Sequence, residues 1–146
     1  MDQHLDFITL GVTDIAASRR FYVDGLGWTP YFEMPGDVIF FRLNHGLTLS
    51  LFGRGALLAE GGGGEAPAGP PPFSLSHNVD SEAAVVAAYE RALAGGATPL
   101  APPTRADWGG YTAYVGDPDG FRWEIAYNPG WRVDDAGVVH LGATDG

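Results

Sequence analysis

Glu124 is the residue through which this chain of 146 amino acids makes its clearest chemical statement. It lies in Phe121-Arg122-Trp123-Glu124-Ile125-Ala126-Tyr127, which alternates as a half-buried strand does. Phe121, Trp123, Ile125 and Tyr127 form an apolar set to pack on a helix, leaving Arg122, Glu124 and Ala126 on the opposite, concave face. A carboxylate there serves as counter-ion, hydrogen-bond acceptor or general base, and it costs desolvation unless a partner or ligand meets it. A salt bridge to Arg122 is the plainer alternative. The same alternation turns Thr48, Ser50 and Phe52 inward, with Phe7 and Thr9 from one leading strand and Ser74, Ser76 and Asn78 from another. In Asp107-Trp108-Gly109-Gly110-Tyr111 two large aromatics sit beside two glycines just before an interior strand. This is the pattern of a loop over a pocket mouth, where Trp108 and Tyr111 would stack on a flat ligand or cation for about 0.5–2 kcal/mol per contact. An aromatic plug for a small core is the equal alternative. Trp28 and Tyr31 read as mixed core and pocket wall.

The remaining candidates are weaker. His77 alternates with Phe73, Leu75 and Val79 and is expected against a helix, away from Ser74; a bulge would reverse this. His45 falls in a hairpin turn, and His4 and His140 lie near the ends. Gly61 to Gly64 lack the lysine and the strand-to-helix setting of a phosphate loop, and no Gly-x-Ser-x-Gly elbow is present.

The elements that position these residues occur twice. The first run is a strand (Leu5 to Val12), a helix (Asp14 to Gly25) and strands Trp28 to Glu33, Val38 to Leu43 and Leu47 to Phe52. The second is a strand (Phe73 to Val79), a helix (Ser81 to Ala94) and strands near Thr98 to Ala101, Tyr111 to Val115 and Phe121 to Tyr127. Asp14 suits a helix N-cap, and Val85, Ala88, Tyr89, Ala92 and Leu93 give the second helix one apolar face. The chain therefore divides into a first module (1–53), a Gly/Pro-rich linker (54–72), a second module (73–128) and a tail (129–146) with mobile final residues. The fold class is α+β: two tandem βαβββ modules forming a cupped, partly open, barrel-like mixed sheet with helices outside. Aligning the halves gathers Phe7, Ser50, Ser74 and Glu124 at the pocket centre.

Composition narrows the function. There is no cysteine, so thiolate catalysis and thiolate metal ligands are excluded. All eight basic residues are arginine, which removes a lysine base or Schiff base. A net charge of −10 argues against nucleic acid and favours cationic or neutral ligands through long-range steering, besides aiding solubility. No apolar run reaches the ~18 residues of a membrane span, and the acidic Met1-Asp2-Gln3-His4 lacks the character of a signal peptide. The cytoplasm is the expected location, with no membrane partner.

Val12-Thr13-Asp14-Ile15, Phe21-Tyr22, Gly25-Leu26-Gly27 and above all Asp117-Pro118-Asp119-Gly120-Phe121-Arg122-Trp123-Glu124 resemble the vicinal oxygen chelate superfamily. That group includes glyoxalase I, extradiol dioxygenases and bleomycin-resistance proteins, and the resemblance spans residues 5 to about 130. It implies paired βαβββ modules around a cupped site, and a homodimer. In metal-dependent members four positions carry His, Gln or Glu; carried over, these are Phe7, Ser50, Ser74 and Glu124, and only Glu124 is a plausible ligand. The resemblance is thus closest to metal-free members that enclose a cationic or aromatic compound. The expectation is a small-molecule binding protein with no metal and no cofactor. The alternatives are a metal-free isomerase or lyase using Glu124 as acid or base, and a divalent-metal lyase or dioxygenase in which His77 joins Glu124.

Overall fold

The computed structural model describes residues 1–65, 68–69 and 72–142. The chain forms a mixed α+β fold of two compact units, Met1–Pro71 and Pro72–Gly146. Each unit contains one four-stranded mixed sheet, and neither sheet closes into a barrel among the described residues.

Unit 1 runs β1 (Phe7–Val12), α1 (Ile15–Arg19), β2 (Phe32–Met34), β3 (Val38–Arg42), β4 (Thr48–Gly53) and α2 (Arg54–Glu60). Its strand order is β1-β4-β3-β2, with β1 parallel to β4 and the other pairs antiparallel. Asp14 caps α1 by accepting from the backbone N–H of Ala16 (2.9 Å) and Ala17 (3.1 Å), which satisfies two orphan donors. The helix then widens to a π-helical turn over Arg20–Gly25. Consecutive Phe21 and Tyr22 are both buried there, and the Tyr22 ring meets those of Phe21, Trp28 and Phe41 with centroids 4.9–5.8 Å apart. Leu10, Val12, Ile39, Phe41, Leu49 and Leu51 complete this core, all from one face of the sheet.

Unit 2 repeats the plan with β5 (Ser74–Asn78), α3 (Glu82–Ala94), β6 (Thr98–Arg105), β7 (Tyr111–Gly116) and β8 (Arg122–Tyr127), ordered β5-β8-β7-β6. The Ser81 hydroxyl caps α3 by accepting from the Ala84 N–H at 3.2 Å. Val85 of α3 packs on Ala113 and Ile125, with Val79, Ala88, Tyr89, Tyr111 and Tyr127 around them. A short hairpin of β9 (Arg132–Val133) and β10 (Val139–His140) follows. No helix of the described residues is long and apolar enough to cross a membrane.

Three boundaries differ from expectation. The strand expected over Trp28 to Glu33 is only Phe32–Met34, because Trp28 turns into the aromatic core and Pro30 has no N–H for a ladder. β6 is longer than expected and absorbs Pro99, Pro102 and Pro103, which an edge strand with register shifts tolerates. The segment expected as linker from 54 begins with a helix, α2, that lies against β1 and β4. Gly11 makes that approach possible, since a Cβ there would stand 3.0 Å from Leu57 Cδ2 and 3.4 Å from Arg54 Cα. Pro70 and Pro71 of the linker and residues 143–146 of the tail lie outside the described residues.

The β7–β8 turn is the tightest local structure in unit 2. Asp117 is 2% exposed, and its Oδ1 accepts from the N–H of Asp119 (3.0 Å) and Phe121 (2.8 Å). Gly120 supplies the positive φ (84°) that the turn needs. Replacing Asp117 with Ala removes the acceptor for both amides; urea unfolding is expected to show a loss of about 2 kcal/mol, while Asp119→Ala changes stability much less.

Candidate functional site

The open face of the unit 2 sheet follows directly from its register. Ser76 stands across from Glu124 and Asn78 across from Ala126 in the parallel β5–β8 pair. Tyr114 stands across from Glu124 and Thr112 across from Ala126 in the antiparallel β7–β8 pair. Glu124 is therefore flanked on both sides by hydroxyls. The Ser76 Oγ–H donates to Oε2 at 2.5 Å, and the Tyr114 O–H donates to Oε1 at 2.6 Å. Both carboxylate oxygens are held, and each retains a lone pair for a further donor.

This carboxylate lies in the wall of a cavity of about 400 Å³. Ser76, Asn78, Glu124 and Ala126 of the sheet line it, with Trp108, Asn128 and Trp131 from the connections at its edge. Asn128 Oδ1 accepts from the Gly130 N–H at 2.9 Å, which leaves the amide nitrogen as its free donor. Trp108 is 57% exposed at the β6–β7 turn, where Gly109 has φ 93°. Its indole lies directly on Gly110: a Cβ there would fall 1.8 Å from the ring carbon Cη2. The tail hairpin that follows Trp131 is closed by Asp134, whose Oδ1 accepts from Ala136 and Val138 N–H and whose Oδ2 lies 2.8 Å from His140 Nε2. That contact, first among several, holds the Asp134 carboxyl below its ordinary pKa.

The Tyr114 phenol shows the electrostatic cost of its position. Its hydrogen bond to Glu124, then desolvation, then the nearby negative charge push its pKa up to about 12.

The sequence-derived candidates separate into groups. Ser76, Asn78, Trp108 and Glu124 come together in the unit 2 cavity. Ser74 and Arg122 pair with each other two residues toward the strand starts and do not line it. The neighbour of Glu124 across the ladder is thus Ser76, and among the described residues its carboxylate is held by the Ser76 and Tyr114 hydroxyls rather than by an ion pair with Arg122. Tyr111, expected with Trp108 at the mouth, is on the other face: it pairs with Tyr127 and packs on the Val85–Ala113–Ile125 cluster. Phe7, Thr9, Ser50 and Phe52 line a separate cavity in unit 1, and Thr48 pairs with Phe7 just outside it. His77 pairs with Ile125, on the face opposite Glu124, and desolvation lowers its pKa. Trp28 belongs to the core, whereas Tyr31 is exposed with Arg42 stacked 3.9 Å from its ring centroid. Tyr114, Asn128 and Trp131 are site residues that the sequence does not single out. Tyr114 has a local signal, because counting outward from the Asp117–Gly120 turn pairs it with Glu124.

The donor set does not suit a divalent ion. Of the four positions where the resemblance puts ligands, Phe7 has no donor and Ser50 and Ser74 offer neutral hydroxyls. Glu124 already accepts two hydroxyl hydrogen bonds, and the described residues contain no cluster of three or more His, Asp or Glu able to hold a metal.

Comparison with known proteins is concordant. Residues 4–125 match the family described as Glyoxalase/Bleomycin resistance protein/Dioxygenase superfamily. A solved glyoxalase-related enzyme from Fulvimarina pelagi is 38% identical with a TM-score of 0.89, over 97% of this chain and 100% of that one. A glyoxalase/bleomycin resistance protein/dioxygenase from Nocardioides is 28% identical with a TM-score of 0.68, over 87% of this chain and 84% of that one. A lactoylglutathione lyase from Agrobacterium tumefaciens, 22% identical with a TM-score of 0.64 over 87% of this chain and 95% of that one, shares the fold. No protein in the curated set matches.

Two consequences are measurable. Because the Tyr114 pKa is raised, the hydrogen-bonded pair stabilises the fold fully below the ordinary tyrosine pKa of about 10, and that stability is lost as pH rises toward about 12. Phenolate absorbance is expected to show one tyrosine titrating near 12, and Glu124→Gln to lower it toward the ordinary value. Gly110→Ala is expected to displace the Trp108 indole and change tryptophan emission, with far-ultraviolet circular dichroism unaltered.

Proposed function

The chain belongs to the Glyoxalase/Bleomycin resistance protein/Dioxygenase superfamily, and from that premise we propose that it is a small-molecule binding protein working without a metal, with Glu124 receiving an aromatic or cationic compound. The observation that carries this reading is the carboxylate held at both oxygens by Ser76 and Tyr114 in a cavity bordered by two indoles. The cavity volume falls in the lower part of the range of small-molecule sites, about 300–1,000 Å³. Trp108 and Trp131 offer faces to a flat ring or a cation, and Glu124 offers the compensating charge. Asn128 adds a donor for an acceptor atom on the ligand. The net charge of −10 draws cations toward the protein before any contact forms.

A second reading, general acid or base catalysis by Glu124 in an isomerisation, epimerisation or elimination, draws on the Tyr114 phenol as a proton-bearing neighbour. The hydroxyl donors at both oxygens favour the counter-ion role, because they stabilise the ionised carboxylate as an acceptor.

Titration with N-methylacridinium, a flat aromatic cation, is expected to quench tryptophan fluorescence saturably. Glu124→Gln should weaken that binding by about tenfold, and weaken neutral acridine at alkaline pH much less. Trp131→Ala should weaken both by about two- to fivefold. Quenching that does not saturate, or that ignores the Glu124 charge, overturns the reading. A turnover lost in Glu124→Gln with binding retained would establish the catalytic alternative.

A further inference from the structure

We propose that the tail from Trp131 to Gly142 is a strap, whose apolar face closes over a ring bound at Glu124 with Leu141 as the closing contact. This rests on the reading of the Glu124 cavity given above, and it adds a segment that lies past the residues matching the family.

The tail hairpin is a two-sided ribbon. Val139 stands across from Val133, and His140 across from Arg132. The same register carried outward puts Leu141 across from Trp131 and Gly142 across from Gly130. The last pair is in close approach, because a Cβ on Gly142 would run into the Gly130 carbonyl oxygen. Residues directly opposite each other share a face, and alternate residues along a strand share it too. Trp131, Val133, Val139 and Leu141 therefore form one apolar face, with Arg132 and His140 on the other. Val133 and Val139 are half-buried, whereas Trp131 is 41% exposed and Leu141 is 67% exposed. The apolar face is thus covered toward its turn and open at its base, where Trp131 forms part of the cavity wall. Trp108 borders the same cavity, so a ring held at Glu124 would meet apolar groups from both the β6–β7 turn and the ribbon.

The ribbon is built to move as one piece. Asp134 gathers it: Oδ1 accepts from the Ala136 and Val138 N–H, and Oδ2, which can only accept, takes the Nε2–H of His140 at 2.8 Å. Gly137 supplies the positive φ (79°) of the turn. All of these bonds are internal to the hairpin, and neither β9 nor β10 packs broadly on another strand or helix of the described residues. So short a ladder gains little stability from its surroundings and is displaced at low cost. It hangs from β8 by the turn at Asn128, whose side chain accepts from the Gly130 N–H and whose backbone carbonyl accepts from the Trp131 N–H at 3.0 Å. Movement about that turn raises or lowers Trp131 and Leu141 together. A ring enters while the strap is raised, and closure behind it slows release more than it alters capture.

The test is the rate of N-methylacridinium release from the full chain by stopped flow, joined to methyl resonances of the leucine-labelled chain. At saturation the Leu141 methyl signals, identified by their loss in Leu141→Ala, are expected to move upfield under the ring current of the bound compound. Leu141→Ala should speed release by about three- to tenfold with little change in association. Its urea unfolding should match the parent, since so exposed a side chain adds little to folding. Asp134→Ala removes the acceptor that gathers the hairpin, and Gly142→Ala forces the base of the ribbon apart; both should speed release to a similar extent. Release at the parent rate in all three variants, or Leu141 methyl signals that stay in place at saturation, overturns the strap while the Glu124 reading stands. Faster release in Asp134→Ala and Gly142→Ala alone also overturns it, because the tail then only positions Trp131. Absence of binding by the parent chain overturns both readings.

Discussion

The register of β7 against β8 is the constraint on which the chemistry of unit 2 rests, and Asp117 fixes it. Its buried carboxylate gathers the amides of Asp119 and Phe121, so the turn closes at one length and Gly116 meets Arg122. Counting back from that pair places Tyr114 beside Glu124 and Ala113 beside Ile125. A slip of one residue would turn Glu124 toward α3 and Ile125 toward the cavity, which the apolar packing of Val85, Ala113 and Ile125 opposes. Packing on one face of the sheet thereby positions the carboxylate on the other.

The two units use one topology for different surfaces. In each, the first strand pairs in parallel with the last, and the central strands form an antiparallel meander. In each, the helix after the first strand covers one face, and a cavity lies on the other. Unit 1 lines its free face with Phe7, Phe40, Phe52 and Ser50; unit 2 lines its own with Glu124, Ser76, Asn78 and two tryptophans. The difference is one of side chains and not of backbone, which is how a repeated fold acquires separate chemistry.

Glycine acts at two positions by leaving space. At Gly11 the absent Cβ admits α2 over the end of β1, and at Gly110 it admits the indole of Trp108. Both contacts shape a cavity wall. Neither glycine sits at a positive φ, so each is explained by close approach and not by turn geometry.

The sequence by itself determined the repeat, the α+β class, the helix cap at Asp14, and the faces of β1, β4, β5 and β8 that meet their helices. All of these follow from local spacing: period-two alternation, capping residues and turn residues are expressed within a few positions along the chain. Alternation sufficed to put Glu124, Ser76 and Asn78 on one face, and counting from the turn reaches Tyr114. It misplaced Tyr111 because a loop motif drew it toward the mouth, although its strand phase pairs it with Tyr127 on the core face. Only the tertiary structure decided which candidates share a cavity. Ser76, rather than Ser74, meets Glu124 because parallel register is set by long-range pairing, with no turn between β5 and β8 to count from. Trp131 and α2 become cavity walls because the chain just past β8 and just past β4 turns back over its sheet, and the path of that return depends on packing that no local pattern encodes.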